Sequence, residues 1–297
     1  MPKEKPANPW LLATRPKTLC AGICPVLLGT AIAYLHGSFH LWSAILCLIG
    51  SILIQIGTNF ANDYYDFVKG ADTEDRLGPT RATQAGLVTP QQMKQATIFI
   101  FIAASICALL LALRGGYPMV ILLLVSIISG IAYTGGPFPL GYNGLGDLFA
   151  FIFFGPVATA GTYYVQSLSL PIELIWAGFI PGGFSVALIS INNMRDIPTD
   201  SQVGKRTLAV LLGRTFARLE YTLALLMAFI LPFFLWFQNL QQPLYLSLSL
   251  LALFPIISPL KTVWASEEGP PLNEALGNTG KTLFIHTILL CLILIFN

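Results

Sequence analysis

The chain has 297 residues, 55% of them hydrophobic and only 10% charged, with a formal net charge of +2 and a mean hydropathy of +0.72. A water-soluble domain of this length needs far more charge on its surface. So small a basic excess, with no Lys/Arg run on an open face, also argues against a nucleic-acid partner.

The opening segment, MPKEKPANPWLLATRPKTL, lacks a short apolar core directly after its basic residues and a small-residue cleavage site, so it reads as a cytosolic tail rather than a signal peptide. Apolar runs long enough to cross about 30 Å of hydrocarbon then recur. They fall at roughly 18–36, 41–64, 95–113, 117–135, 145–166, 172–194, 219–238, 244–262 and 281–297. The runs are continuous rather than alternating, and lipid demands that each segment pair its own backbone groups, so they are expected to be helices. Pro25, Pro156, Pro181 and Pro255 lie inside them, as kinked spans tolerate when neighbours satisfy the freed carbonyls. The expectation is an all-α integral membrane protein, about nine transmembrane helices in one membrane domain over 1–297.

Basic residues set the orientation. With the N-terminus in the cytosol, Lys3, Lys5, Arg15 and Lys17, then Lys69, Arg76, Arg81 and Lys94, then Arg195, Lys205, Arg206, Arg214 and Arg218, and finally Lys261 and Lys281 all lie inside, leaving Arg114 alone outside. The positive-inside rule then gives N-in, C-out. The two longest connections, about 66–94 and 195–218, both fall on the cytosolic side, where long loops act as caps or binding loops. The five cysteines (Cys20, Cys24, Cys47, Cys107, Cys291) show no paired zinc spacing and read as buried apolar side chains.

The second run ends in QIGTNFANDYYDFVKGADTEDRLGPTRA, which sets Asn59, Asn62, Asp63 and Asp66 at i, i+3, i+4 and i+7, one helical face, with Asp72, Glu74 and Asp75 following. The sixth ends in SINNMRDIPTDSQVGKRTLAVLLGR. There Asn192, Asp196 and Asp200 repeat at i, i+4, i+8, with Asn193 three before Asp196, provided the helix persists through Pro198. The two helices run the same way, so the acidic ends converge and repel unless a hard cation lies between them. Oxygen ligands without His or Cys point to Mg²⁺, which is commonly shared between carboxylates and substrate phosphates. Lys69, Arg76, Arg81, Lys205 and Arg206 are available for the remaining phosphate oxygens. The bland alternative is that both clusters are solvated helix ends. Tyr133, Thr134, Arg15, Lys17 and Asp147 also lie on this side, where interfacial anchoring or helix capping would explain them equally well. His286 and the aromatic clusters read as packed or lipid-facing side chains.

The pairing of Asn62, Asp63 and Asp66 with Asp196 and Asp200 resembles the UbiA superfamily of intramembrane aromatic prenyltransferases, and the likeness covers most of the chain. TRPKTL, DRLGPTRA, YTGGPFPLGYNGLGD and GKRTLAVLLG are similar to its branch that prenylates 1,4-dihydroxy-2-naphthoate in menaquinone or phylloquinone synthesis. Many members carry a third Asp four after the second. Here Gly70 stands at that place and Asp72 two residues later, which leaves open the carboxylate that completes the first site.

The resemblance implies a helix bundle around a central cavity, a side opening to lipid, and a bacterial cytoplasmic-membrane enzyme working with Mg²⁺ on the cytosolic side. Its substrates would be a prenyl diphosphate and 1,4-dihydroxy-2-naphthoate. Asp63, Asp66, Asp196, Asp200 and Tyr133 would be catalytic, with Asp63, Asp66, Asp72, Asp196 and Asp200 on metal. Asn59, Asn62, Lys69, Arg76, Arg81, Asn192, Asn193, Lys205, Arg206, Arg15 and Asp147 would bind substrate. An acceptor carboxylate needs a cation, and Arg15, Lys17 and Arg81 all stand available. Other acceptors, 4-hydroxybenzoate or homogentisate, are the alternatives within the class. A secondary transporter is the rival outside it, disfavoured because the acids sit at one face rather than the midplane.

Overall fold

The computed structural model describes residues 8–72, 77–237, 246–267 and 269–296. Lys3, Lys5, Glu74, Asp75 and Arg76 therefore lie outside the described residues. Helix α1 (Pro9–Thr14) is capped by the Asn8 side chain, which accepts from the Trp10 and Leu11 amides, and Arg15 ends it at φ 53°. A 3-10 turn (Pro16–Thr18) leads into α2 (Cys20–Leu35), bent 52° from the segment before it. Helix α3 (Leu41–Val68) carries the first acidic face in one unbroken run. Helix α4 (Pro90–Gly115) starts with reciprocal bonds between Thr89 and Gln92 and with a proline where no amide is needed. Helix α5 (Tyr117–Ala132) follows.

Helix α6 (Gly146–Ile152) and helix α7 (Ala158–Ser167) are joined by a widened turn, Phe153–Val157, in which Gly155 leaves helical geometry (φ −116°, ψ −110°). This break lies directly against helix α8 (Glu173–Gln202): a Cβ on Gly155 would stand 2.7 Å from the Gly178 carbonyl oxygen. The missing side chain is what lets the two backbones touch. Helix α9 (Leu208–Phe237) breaks at Gly213 (φ 83°), a left-handed conformation that glycine tolerates. A 3-10 turn (Ser247–Ala252), helix α10 (Leu253–Ala265) and helix α11 (Gly269–Phe296) complete the described chain. No strand occurs among the described residues.

One core joins α8 to α9, α10 and α11 through Phe184, Ile191, Tyr221, Leu225, Ile256 and Leu283. The outside is apolar as well: Phe99, Leu113, Leu223 and Phe254 are exposed, as suits a lipid environment and not water. Seven helices among the described residues are long and apolar enough to cross a membrane, and α1 with α2 makes an eighth if the bent pair is one span. The expected count of about nine is not confirmed. The segment near 117–135 becomes a helix of 16 residues, which rises about 24 Å against about 30 Å of hydrocarbon.

The two expected loops are also shorter than read. The first begins after Val68 and ends at Thr89. The second, expected over 195–218, is mostly helix: α8 continues to Gln202 and α9 starts at Leu208. Pro198 removes only its own donor, and the Thr199 and Ser201 hydroxyls donate to the carbonyls of Asp196 and Pro198. Asp196 and Asp200 consequently share one face of a continuous helix.

Candidate active site

A cavity of about 290 Å³ runs between α2, α3, α4, α5, the α6–α7 unit and α8. Its body is apolar, walled by Leu46, Leu111, Leu122, Phe149, Phe153 and Phe154. Its polar end lies where α3 and α8 finish, with Asp66, Arg81, Lys205, Asn62, Asn192 and Asn193 on the wall. Arg15, Asn59, Tyr133 and Thr134 line it as well.

At the end of α3 the carboxylates are met by the loop that follows. Both Asp63 oxygens accept backbone amides, from Ala82 at 3.1 Å and Thr83 at 3.1 Å. Asp66 Oδ2 lies 3.2 Å from Arg81 Nη2, and its Oδ1 accepts the Tyr142 hydroxyl at 2.9 Å. Arg81 Nε is also 3.5 Å from Asp72 Oδ2, so Asp72 joins the first cluster through a cation. Asn59 donates to the Thr14 carbonyl, and Asn62 accepts from Thr134 Oγ1. Lys69 Nζ donates to the Thr134 carbonyl oxygen at 2.6 Å.

At the end of α8 the partners are local. Arg195, fully buried, grips Asp196 with two bonds of 2.7 and 2.6 Å, and also donates to Asn192 and to Asn273 of α11. Asn273 in turn donates to the Leu77 carbonyl of the first loop. Lys205 Nζ is 3.2 Å from Asp200 Oδ1. Asn193 donates to Asp147 at the start of α6. Arg206 is exposed, and its backbone N–H donates to the Tyr142 carbonyl.

Tyr142 joins the two clusters. Its hydroxyl is on Asp66, while Lys69 Nζ stands 4.8 Å and Lys205 Nζ 5.7 Å from its ring centre. Burial first, then the Asp66 carboxylate, push its phenol far up, so it stays a protonated donor. The two lysines are shifted in opposite directions. Burial pulls the Lys69 ammonium below its ordinary value against the attraction of Asp66. Burial also acts against Lys205, but the carboxylates of Asp200, Asp66 and Asp196 outweigh it and hold the group above its ordinary value.

Among the described residues no three acidic, His or Cys side chains form a ready-made metal cluster. The donor set nevertheless fits a Mg²⁺ shared with phosphate, which takes one or two carboxylates and keeps waters. Asp200 Oδ2 is buried without a hydrogen-bond partner, and Arg81 Nη1 is a buried donor equally without one, which suits an anionic oxygen. Of the five carboxylates expected on metal, Asp66 stands on the cavity wall, and Asp200 has the unsatisfied oxygen. Asp63 and Asp196 are engaged by backbone amides and by Arg195. Sequence reasoning missed Tyr142, Arg195 and Asn273 as parts of this site, and also Gln55, whose buried side-chain oxygen lacks a partner on the cavity wall. Only Gln55 carried a signal, four residues before Asn59 on the same helical face.

Residues 23–293 match the family model described as the UbiA prenyltransferase family. The chain is 41% identical to a 1,4-dihydroxy-2-naphthoate octaprenyltransferase of Escherichia coli (strain K12), covering 73% of this chain and 72% of that protein. It is 33% identical to one of Mycobacterium leprae (strain TN), covering 94% and 93%. The fold is similar to the solved structure of a UbiA homolog from Archaeoglobus fulgidus bound to GPP and Mg²⁺. The TM-score is 0.68 at 16% identity, covering 98% of this chain and 100% of that one.

Proposed function

Because the chain belongs to the UbiA prenyltransferase family, we propose that it transfers a prenyl chain from a prenyl diphosphate to 1,4-dihydroxy-2-naphthoate, releasing diphosphate and CO₂. The observation that carries this reading is the cavity's division. Cations and carboxylates ring one end, around Asp66, Arg81 and Lys205, and mostly apolar walls make up the rest. A diphosphate suits the first part and an isoprenoid the second.

Asp66 and Asp200 would hold Mg²⁺, which when bound draws charge off the departing diphosphate. Arg81, Lys205 and Lys69 place positive charge around the same oxygens as the allylic C–O bond breaks. The Tyr133 and Phe149 rings line the same cavity and offer π faces that would stabilise a developing allyl cation. Residues 77–89, which cap Asp63 and Asp66, would keep water from quenching it. The naphthalene ring then attacks through the carbon bearing its carboxylate. That C–C bond forms, the ring–carboxylate bond breaks, and its electron pair restores aromaticity as CO₂ leaves. The charge lost with the acceptor's carboxylate appears on the diphosphate, so the step releases no proton. This agrees with a site whose chemistry needs no strong base at the attacked carbon. Arg15, Lys17 and Arg81 remain the candidates for the acceptor carboxylate, and Arg15 and Arg81 line the cavity.

We read the polar end as facing the cytosol in a bacterial cytoplasmic membrane, a reading that the distribution of basic residues supports. Membranes containing the protein, given carboxyl-labelled 1,4-dihydroxy-2-naphthoate, Mg²⁺ and a prenyl diphosphate, are expected to release labelled CO₂ in step with diphosphate. Diphosphate release with the label retained would discard the decarboxylative route. Preferential turnover of 4-hydroxybenzoate or homogentisate would discard the acceptor.

A further inference from the structure

Asp66 has two oxygens, and both are engaged: Oδ2 by the Arg81 guanidinium at 3.2 Å and Oδ1 by the Tyr142 hydroxyl at 2.9 Å. Each oxygen keeps a second lone pair, but a cation approaching Asp66 from the cavity draws on the same oxygen charge and weakens the bond already made there. Arg81 is a buried ionic partner that also reaches Asp72, and freeing it would strand charge. Tyr142 is neutral, and its single hydroxyl proton can be redirected by a small ring movement. The residue is otherwise well held. Its carbonyl accepts the Arg206 amide at 2.9 Å, and its ring lies beneath the ammonium groups of Lys69 and Lys205. A hydroxyl released from Asp66 would therefore stay on a ring held near two ammonium groups of different clusters, which draw a polyanion to it.

We propose that Tyr142 is an exchangeable partner of Asp66, releasing that carboxylate to the metal and turning its phenol O–H onto the incoming diphosphate. The inference rests on the prenyl-diphosphate reading above. It makes Tyr142 a diphosphate-positioning residue whose two roles exclude one another, because one hydroxyl proton serves one acceptor at a time. The consequence is a split of opposite sign. Removing the hydroxyl while keeping the ring frees Asp66 for a cation but takes a donor from the diphosphate. A residue that merely supports the fold would weaken both.

The test uses the full chain purified in detergent. Binding of Mn²⁺ alone is followed by paramagnetic resonance, and Mg²⁺-dependent binding of geranyl S-thiolodiphosphate by calorimetry. Wild-type protein that fails to bind the analogue with Mg²⁺ overturns the functional reading, and this inference with it. Given wild-type binding, Tyr142→Phe is expected to bind Mn²⁺ at least about twofold more tightly and the analogue about ten- to 150-fold more weakly, the scale of one lost hydrogen bond to a charged group. Both affinities unchanged, both weaker, or the analogue unaffected would each overturn the exchange while leaving the function intact. A second measurement does not depend on that variant folding. With 3-fluorotyrosine at position 142, the fluorine resonance is expected to move when Mg²⁺ and the analogue are added together. An unmoved resonance overturns the proposal.

Discussion

At the end of α3, Asp63 and Asp66 are met by groups 15 to 20 residues further along the chain, the Arg81 guanidinium and the Ala82 and Thr83 amides. At the end of α8, Asp196 is held by the residue before it and Asp200 by a lysine five residues on. The first cluster therefore exists only while residues 77–89 are seated against α3. The second is set by its own helix and turn. The two are not independent, since Arg195 reaches Asn273 and Asn273 holds the Leu77 carbonyl. The self-contained cluster thus also anchors the loop that the dependent one needs. In each cluster one carboxylate, Asp63 or Asp196, is held by backbone amides or a buried guanidinium, and we propose that the other, Asp66 or Asp200, carries the chemistry.

The largest effect expected from that division is at Asp66. Asp66→Asn keeps the size but removes the charge, and turnover is expected to fall by about 10²- to 10³-fold, on the scale of one lost transition-state electrostatic contact. Asp196→Asn is expected to act differently, lowering the unfolding midpoint because it leaves the buried Arg195 short of its counter-charge. Turnover and thermal unfolding measured on both variants check the contrast. Equal turnover losses with unshifted midpoints would erase the distinction between committed and reactive carboxylates.

Asp63 gives a smaller effect. Its two oxygens each take one loop amide, so Asp63→Asn retains one acceptor and Asp63→Ala none. The alanine variant is expected to lose about 1–3 kcal/mol of stability from unpaired buried amides, with faster amide exchange over residues 77–89, and the asparagine variant roughly half as much. Identical behaviour of the two, with exchange in the loop unchanged, would make Asp63 a metal ligand and not a clasp.

These features differ in how far the sequence reveals them. The apolar runs announce helices because lipid allows little else, and the i, i+3, i+4, i+7 spacing of Asn59 to Asp66 puts those side chains on one face whatever surrounds them. The continuation of α8 through Pro198 to Gln202 is not contained in any spacing rule, since a proline inside a helix costs one donor and can either end the helix or be carried by it. Tyr142 sits in a Gly- and Pro-rich connection with no period, and becomes part of the site only when that connection folds between the ends of α3 and α8. Asn273 and Leu77 are 196 residues apart, and nothing local joins them. The choice between Asp63 and Asp66 is invisible for the same reason: the amides that occupy Asp63 come from the loop.

The smallest effect separates the clusters by charge and not by contact. Lys69, at the end of α3, has its ammonium pulled below the ordinary lysine value by burial. Lys205, beside the end of α8, is held above it by Asp200, Asp66 and Asp196 in spite of burial. A bound diphosphate favours the charged form of both. For Lys69, whose value in the free protein is depressed, the contribution to binding is fully present below that depressed value and is lost as the pH rises through it. Lys205 keeps its proton beyond that point. Affinity for a thiolodiphosphate analogue is therefore expected to weaken on the alkaline side in an early step of about three- to fivefold, since the burial of the Lys69 ammonium is only partial and its pairing is screened by water. An arginine stays charged throughout this range. Lys69→Arg is expected to abolish the early step, whereas Lys205→Arg leaves it in place. A step that persists in Lys69→Arg and vanishes in Lys205→Arg would reverse the assignment and put the weaker base in the second cluster.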